Sequence, residues 1–272
     1  MYLFYVYGSG LGHLTRVRNF IHTKNISLKE CVIITNSSYK NYFPKTAITI
    51  FKDDIFFTDN YRVKIFLNRC VQKYAISTFV TDVFYAGFYG ELNDFFNQIK
   101  GLKLTLLARI LNSNYSSKYN CIVYDTVYLL EQGIFLDKYN YKHKENLTLI
   151  SLSKNNTKSN ITIVKPYFLV LHSGPLEEVI LLYKQALLYR KNEHICIQTY
   201  IDFPVQYLKE KTTLICKEKT NNQLLENAKK IFSGCGFNSS AETLPYRKKQ
   251  HVIPFKRRYD DQFKRKSMQF LK

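Results

Sequence analysis

Short apolar runs alternate with helical patterns along this chain of 272 residues. In the first half, runs typical of buried strands cover residues 2–8, 30–36, 47–51, 77–84, 102–109 and 121–125. In the second half, such runs cover residues 167–174, 194–200, 212–217, 230–234 and 251–255, and the clearest helical pattern covers 175–191. Alternating strands and helices are the sequence pattern of βαβ units, so the chain is predicted to be an α/β protein with a parallel sheet in each half.

A polar segment separates the two halves. Residues 151–162, SLSKNNTKSNIT, are rich in Ser, Asn and Lys and lack a hydrophobic period, which is typical of a linker. We therefore predict a first Rossmann-like domain over 1–152, a linker over 153–164 and a second Rossmann-like domain over 165–272. Ligands of such sheets bind at the carboxyl ends of the strands, so a cleft between the domains is the predicted site.

The first predicted strand ends in a glycine-rich turn. GSGLGH (8–13) contains three of the ten glycines in the chain, and a helical pattern follows it directly. A dinucleotide fingerprint has this order of elements, but the spacing here is GxGxG and the second strand ends in Asn36 without an acidic residue. A tight turn without a ligand is a second interpretation. In the third, the N–H groups of the loop and the helix N-terminus receive a diphosphate or another oxyanion, with His13 beside it.

The charge of the chain points to an anionic partner. Forty Lys and Arg against 21 Asp and Glu give a net charge of +19, which suits nucleic acid, anionic lipid or a phosphorylated substrate. Residues 245–272 hold ten of these cations and two Asp; they could meet a donor diphosphate or an anionic membrane, or form a solvated helix face. A nucleic-acid-binding protein is one alternative, but no helix-turn-helix, zinc-finger or RRM signature supports it.

The cysteines and the termini indicate the compartment. Six widely spaced Cys without a CxxC pair indicate reduced thiols rather than a zinc site or a disulfide framework. The N-terminal apolar run is too short for a signal peptide, and no run approaches the roughly 20 residues that span a bilayer. We expect a cytoplasmic protein whose basic surface suits a peripheral position on the inner face of a membrane.

Three segments resemble one family. GSGLGHLTR (8–16) resembles the amino-terminal glycine loop of the GT-B nucleotide-sugar glycosyltransferases related to MurG. FSGCGFNSSAETLPYRKKQHVIPFKRRYDDQF (232–263) is similar to that family's donor-site segment: a strand ends at Ser-Gly, a turn of small residues leads into a helix with a Glu, and a further strand ends in Pro before an acidic-Gln pair. TDVFYAGFYGEL (81–92) also resembles a segment of this group. The resemblance implies a GT-B-like fold, with two Rossmann-like parallel-sheet domains facing a cleft. The first domain would lie on the acceptor side, and the second would bind the nucleotide-sugar donor.

The resemblance also implies roles for individual residues. Glu242 would hold the two ribose hydroxyls of the nucleotide, and Asp261 with Gln262 would contact the donor sugar. The other residues implied in donor binding lie in the small-residue turns of both halves: Gly10, Gly12, Ser173, Gly174, Gly234, Gly236, Asn238 and Ser239. The N–H groups of such turns can stabilise a leaving diphosphate, and a carboxylate can accept two hydroxyl hydrogen bonds.

The chemistry that the family implies is an inverting transfer without a metal, in which an acceptor hydroxyl attacks the anomeric carbon. No cofactor is implied, because the nucleotide-sugar is a co-substrate. A base with a pKa near the working pH is needed, and His13 is the first candidate. His13 could equally orient the donor or cap its helix, and Asp82 or Asp125, which follow apolar runs, could serve instead. Glu91 is expected on a solvated helix face.

The predicted function is therefore transfer of a sugar from a nucleotide-sugar to a hydroxyl of a glycan, a lipid-linked molecule or a small molecule. The resemblance favours a UDP-linked donor such as UDP-GlcNAc. A catalytically silent GT-B relative that binds a nucleotide or a glycan is the alternative within the fold, because the sequence ends soon after the acidic-Gln pair.

Overall fold

The computed structural model describes residues 1–8, 10–39, 41–150, 163–216 and 222–270. The chain divides into two compact units, Met1–Ile150 and Ser151–Lys272. The linker predicted over 153–164 falls almost entirely outside the described residues. Each unit contains one sheet in which all the strand pairs are parallel.

The described part of unit 1 forms a sheet of seven strands. The strands are β1 (Tyr2–Val6), β2 (Cys31–Thr35), β3 (Ile48–Phe51), β4 (Thr78–Asp82), β5 (Lys103–Ala108), β6 (Val123–Leu129) and β7 (Asn140–Asn146). The α-helices are α1 (Leu11–Thr23), α2 (Asp54–Phe57), α3 (Asn60–Lys73), α4 (Asn93–Phe96) and α5 (Ser113–Lys118), and 3₁₀ turns cover Leu28–Glu30 and Leu136–Lys138. The strand order is β3-β2-β1-β4-β5-β6-β7, which is the Rossmann order with one strand added.

The described part of unit 2 forms a smaller sheet of five strands. The strands are β8 (Tyr167–Leu171), β9 (His194–Thr199), β10 (Thr212–Cys216), β11 (Lys230–Gly234) and β12 (Gln250–Ile253). The α-helices are α6 (Leu176–Tyr189), α7 (Asn222–Asn227), α8 (Phe237–Glu242) and α9 (Gln262–Phe270), and 3₁₀ turns cover Val205–Tyr207 and Leu244–Lys249. The order is β10-β9-β8-β11-β12.

Alternate residues of β8 show why these strands have continuous apolar sequences. Phe168 and Val170 pack in one core with Val179 and Leu182 of α6. Tyr167, Leu169 and Leu171 point to the other face and pack in a second core with the α7 leucines. A strand with helices on both faces buries every side chain, so its sequence has no polar alternation.

The strand order places one topological switch point in each unit. In unit 1 it lies between β1 and β4, and in unit 2 it lies between β8 and β11. The loops after these paired strands leave the sheet in opposite directions and open a crevice at the carboxyl edge, where ligands of such sheets bind. The residues that follow β1, β4, β8 and β11 are therefore the first to consider as site residues.

The sixth and seventh strands differ from the prediction. β6 begins at Val123 rather than ending at Asp125, so Asp125 lies near the start of its strand and away from the carboxyl edge. Its carboxylate accepts hydrogen bonds from Leu104 N (2.8 Å) and Lys142 Nζ (2.7 Å). The interpretation of Asp125 as a base candidate that follows a strand is wrong. β7, with the sequence NYKHKEN, has no apolar run and was not predicted.

Among the described residues, no helix is both long enough and apolar enough to cross a membrane.

Candidate functional site

A histidine and an aspartate meet at the switch point of unit 1. His13 lies in the first turn of α1, and Asp82 is the last residue of β4, the strand beside β1. His13 Nδ1 lies 2.6 Å from Asp82 Oδ2; the Asp82 side chain is fully buried, whereas the His13 side chain is 22% exposed. Among the residues that the structure describes, none forms a hydrogen bond with Nε2 of His13. Asp82 therefore orients the imidazole and leaves Nε2 for another molecule.

Arg16, one turn further along α1, fixes the charge state of this pair. Its Nε donates to Asp82 Oδ1 at 2.6 Å and its Nη2 donates to Asp82 Oδ2 at 2.7 Å, and its side chain is 1% exposed. Burial alone would raise the pKa of Asp82, but the Arg16 charge and the hydrogen bond from His13 lower that pKa to about 2. Arg16 falls outside the apolar face that Leu14, Val17 and Ile21 form in the sequence of α1, yet its side chain is buried.

The same environment keeps His13 neutral. Burial and the Arg16 charge lower the pKa of His13 below its usual value, and together they outweigh the opposite effect of Asp82. Two groups lie at hydrogen-bond distance from Nδ1 of His13: Asp82 Oδ2 at 2.6 Å, which can only accept, and Arg16 Nη2 at 2.9 Å, which can only donate. The shorter contact with the carboxylate favours the tautomer in which Nδ1 carries the proton. Nε2 then carries a lone pair, which is the state that a general base requires. Asp82, with its low pKa, is placed to orient His13 rather than to accept a proton itself.

The three glycines of the first turn lie in different structural surroundings. A Cβ on Gly8 would lie 2.3 Å from Cδ2 and 2.8 Å from Nε2 of His13, so the imidazole occupies the space of a side chain at this position. Gly10 is the N-cap of α1, and nothing lies within 4 Å of the place where its Cβ would be. Gly12 lies inside α1. Gly8 thus makes room for His13, and the open space lies at Gly10.

Backbone strain lies directly beside the histidine. Val83, the residue after Asp82, has φ of +70°, a conformation that β-branched residues rarely adopt. The turn is closed by a hydrogen bond from Phe84 N to the carbonyl of Asp82 (2.9 Å), and the Phe84 ring stacks on the His13 ring at 5.9 Å. Strain of this kind persists where the surroundings enforce it, and it is frequent at functional sites.

Glu91 is buried, contrary to expectation. Its side chain is inside the loop that follows β4, where it accepts hydrogen bonds from Tyr5 OH (2.6 Å), Phe88 N (3.1 Å) and Tyr89 N (2.7 Å). Burial, which outweighs these hydrogen bonds, raises the pKa of Glu91. The prediction of a solvated helix face is wrong, because the chain turns back at Gly87 and Gly90 and encloses the carboxyl group. Glu91 therefore organises the loop that carries Phe84 to His13.

In unit 2, a second histidine fills the switch point. His172 follows β8, and its Nε2 lies 2.7 Å from Oε2 of Glu178, which also binds Arg257 at 2.5 Å through both oxygens. A Cβ on Gly174 would lie 2.4 Å from Nε2 of His172, and one on Gly234 would lie 2.7 Å from its Cε1. The structure thus brings these two predicted glycines together around His172. No motif in the sequence predicted a role for His172, although its position directly before the Ser173-Gly174 turn is a usable signal.

We expect Gly234→Ala to lower the free energy of unfolding by about 1–3 kcal/mol, because the new methyl group would overlap the His172 ring and force it to move. Gly236→Ala is the matched control. Gly236 has open space at the Cβ position and a φ of −67° that alanine adopts, so its cost should stay below about 1 kcal/mol. Urea unfolding followed by circular dichroism measures both values. Equal costs for the two variants would contradict the packing role of Gly234.

Three of the residues that the resemblance implies in donor binding, Asn238, Ser239 and Glu242, lie in α8. Asn238 and Ser239 are partly buried, and the Ser239 carbonyl accepts hydrogen bonds from the side chain (2.6 Å) and the backbone (3.0 Å) of Thr243. Glu242, the last residue of α8, is partly buried and has no ion pair or hydrogen bond with its side chain among the described residues. Burial raises the pKa of Glu242 to about 7. A partly buried carboxylate of this kind gains from hydroxyl donors on a ligand.

Asp261 and Gln262 both support the local fold. Asp261 Oδ1 accepts from Lys264 N (2.9 Å) at the start of α9. Gln262 is 3% exposed, and its Oε1 accepts from Cys235 N (3.2 Å) and Phe255 N (3.0 Å), which follow β11 and β12. Gln262 thus joins the two loops at the carboxyl edge, and a contact with a donor sugar would fall to its Nε2 or to Asp261. Among the described residues, no group of three His, Cys, Asp or Glu side chains could hold a metal ion.

Comparison with known proteins identifies the fold. No family model and no curated protein matches the sequence. Among solved structures, spinosyn forosaminyltransferase SpnP has a TM-score of 0.64 at 10% identity, over 98% of this chain and 82% of that one. UGT2 of Phytolacca americana, complexed with UDP-2-fluoro-glucose and pterostilbene, has a TM-score of 0.59 at 12% identity, over 98% of this chain and 82% of that one. UDP-GlcNAc 2-epimerase of Methanocaldococcus jannaschii has a TM-score of 0.54 at 9% identity, over 100% and 93%.

These similarities confirm the predicted fold class. The chain has the GT-B fold, with two Rossmann-like domains built on parallel sheets. The similar structures are glycosyltransferases and a nucleotide-sugar epimerase.

Proposed function

We propose that this protein is a GT-B glycosyltransferase that moves a sugar from a UDP-linked donor to a hydroxyl acceptor. The observation that carries the proposal is the hydrogen bond between His13 and Asp82 at the carboxyl edge of the first sheet, with Nε2 of the neutral imidazole unpaired among the described residues. The GT-B fold, and the UDP-sugar bound to the similar UGT2, support a nucleotide-sugar as the donor. The resemblance to the MurG-related family supports UDP-GlcNAc as the first donor to test.

The reaction follows from the charge states of the pair. Nε2 of His13 removes the proton from the acceptor hydroxyl while the oxygen attacks the anomeric carbon. The bond between that carbon and the diphosphate breaks, and its electron pair leaves with UDP. Asp82 is already ionised, so it stabilises the imidazolium that forms without changing its own protonation. A single displacement of this kind inverts the anomeric centre, in agreement with the family resemblance.

The donor is assigned to unit 2. Glu242 would accept hydrogen bonds from the ribose hydroxyls, and the N–H groups around Gly236, Asn238 and Ser239 would face the diphosphate. Such donors stabilise charge as it develops on the leaving group. Neither a metal nor a cofactor is part of this proposal. The basic residues of 245–272 provide further cations for the diphosphate. We also propose that this segment can contact an anionic membrane that carries a lipid-linked acceptor.

Replacement of Glu242 by Ala should weaken UDP binding by roughly ten- to a hundredfold, because hydrogen bonds to a charged group contribute about 1.5–3 kcal/mol. Calorimetry with UDP, GDP, TDP and ADP at two salt concentrations would measure this change in affinity and identify the nucleobase of the preferred nucleotide. Glu226→Ala is the control, since Glu226 is an exposed carboxylate of the same unit. Binding that is equally weak for all nucleotides, or that salt abolishes regardless of Glu242, would contradict the assignment.

The pH dependence gives a second readout of Glu242. Its carboxyl group has a pKa of about 7, so ligand hydroxyls find the charged acceptor above this pH and lose it below. Uridine, which has no phosphate to titrate, should bind more weakly by up to about tenfold for each pH unit below 7. Glu242→Gln should remove this dependence.

The epimerase is the second candidate, because this chain covers 93% of that enzyme's length. Incubation with UDP-GlcNAc separates the two activities: a transferase releases UDP, whereas an epimerase yields a second UDP-sugar that NMR resolves.

A further inference from the structure

Four polar side chains meet at the carboxyl edge of the first sheet, next to the His13–Asp82 pair. Three of them, Tyr7, Asn36 and Tyr89, come from the loops that follow β1, β2 and β4, and Asp54 is the first residue of α2, the helix after β3. Asp54 is their centre: its Oδ1 accepts hydrogen bonds from Tyr7 OH and, at 3.4 Å, from Asn36 Nδ2, and its Oδ2 accepts one from Tyr89 OH at 2.9 Å. We call these four residues the Asp54 cluster. The proposed mechanism does not use any of them.

The Asp54 cluster connects with His13 through two routes. Asn36 Oδ1 accepts a hydrogen bond from the backbone N–H of Gly8 (2.7 Å), and Gly8 is the residue against which the His13 ring packs. The second route is a row of aromatic rings. Tyr7 stacks on Phe88 at 4.5 Å, Phe88 meets Phe84 edge to face at 5.1 Å, and Phe84 stacks on His13. A molecule held at the cluster therefore lies on the same edge as the base.

The cluster retains hydrogen-bonding capacity. Asp54 is exposed, and an ionised carboxylate accepts about four hydrogen bonds, of which the side chains of the cluster supply three. Asn36 Nδ2 is partly buried and has a second N–H. Among the described residues, one acceptor site of Asp54 and one N–H of Asn36 therefore have no partner. Such a neighbouring acceptor and donor suit a ligand whose hydroxyls both donate and accept.

The chemistry of the cluster favours a neutral sugar. An anionic ligand would be repelled by Asp54, although the chain as a whole is basic. An apolar ligand would remove water from the carboxylate and the amide without replacing their hydrogen bonds, which is unfavourable. Sugar hydroxyls replace that water, and the C–H face of a sugar ring can pack on partly exposed aromatic rings such as Phe88.

We propose that the Asp54 cluster is the acceptor subsite and that the acceptor presents a neutral sugar ring whose hydroxyls bind Asp54 and Asn36. This assignment rests on the proposed function, and it specifies the acceptor as a carbohydrate. The product is then an extended glycan.

The test is saturation-transfer difference NMR on the full chain with lactose, maltose, cellobiose and N,N′-diacetylchitobiose. At least one of these sugars should give a signal, and Asp54→Asn should weaken its binding about tenfold. Tyr89→Phe, which keeps the ring and removes a hydroxyl from the cluster, is the second variant and should also weaken binding. Asp53→Asn is the matched control: Asp53 caps α2 through Phe56 N, a role that Asn performs as well, and it lies one residue outside the cluster.

No signal from any of the four sugars, or equal affinities for wild type, Asp54→Asn and Tyr89→Phe, would overturn the inference. Thermal melting of each variant confirms that the fold is retained. The NMR experiment needs neither nucleotide nor turnover, so UDP binding without sugar binding would defeat the inference alone. Sugar binding without any nucleotide binding would defeat the proposed function, and with it the assignment as an acceptor subsite.

Discussion

His13→Ala is expected to lower the rate of sugar transfer by a factor of about 10² to 10⁴, the usual contribution of a positioned general base. The affinity for UDP should not change, because the donor is assigned to the other unit. UDP release from UDP-GlcNAc and UDP-glucose, with a sugar or water as the acceptor, measures the rate. His22→Ala is the control, since His22 is an exposed histidine near the end of the same helix. Full activity of His13→Ala would exclude His13 as the base.

The pH profile separates a base from a residue that only supports the fold. The pKa of His13 lies below its usual value of 6.5, so Nε2 is unprotonated at neutral pH. The rate should therefore be constant around neutral pH and fall as the pH drops through this lowered pKa. If His13 had a purely structural role, the fall of the transfer rate at acidic pH would be the same in the wild type and in His13→Ala.

Arg16→Met is expected to lower the free energy of unfolding by about 3–5 kcal/mol, because it leaves the Asp82 carboxylate buried without its cation. Arg18→Met, on a partly exposed face of α1, should cost less than about 1 kcal/mol. Urea unfolding followed by circular dichroism measures both. The double variant Arg16→Met with Asp82→Leu should be less destabilised than Arg16→Met alone, since it removes the unpaired charge. A cost below about 1 kcal/mol for Arg16→Met would contradict the ion pair.

The acid dependence of stability should become weaker in this variant. In the wild type, the pKa of Asp82 is depressed from 3.8 to about 2, so its stabilising effect is present above pH 3.8 and is lost as the pH falls through 2. Arg16→Met removes one cause that lowers the pKa of Asp82, while burial still raises this pKa and the hydrogen bond from His13 still lowers it. The pKa of Asp82 in Arg16→Met should therefore lie closer to its ordinary value, and the loss of stability on acidification should be smaller than in the wild type.

Strands that are buried on both faces have apolar sequences, and for that reason the sequence predicted them. It did not predict β7, because the side chains of this strand face solvent. His13 and Asp82 were each candidates, but their pairing depends on β1 lying beside β4, and 69 residues separate the two side chains in the chain. The contact between His13 and Arg16 could be predicted from the local sequence, because the two residues are three positions apart on one helix. Glu91 had no such signal, since only the path of a loop determines that its carboxyl group is enclosed.

The glycines illustrate the limit of motif analysis. The resemblance assigned Gly174 and Gly234 to phosphate contacts, and the structure gives both a further constraint, since the His172 ring lies where their side chains would be. A motif records that glycine is required at a position and not which neighbour requires it. Gly10 and Gly236, with open space, are the glycines whose backbone a ligand can approach.

The polar strand β7 also determines how the first sheet can associate. Within the part of the chain that the structure describes, β7 is the last strand in the order and β6 is its one partner, so one row of its backbone groups faces outward. Another chain that added a strand here would have to bring its own side chains against Lys142 and Lys144, which are exposed. Charged side chains on such a strand oppose intermolecular pairing. We therefore expect this end of the sheet to resist the strand addition that leads to aggregation.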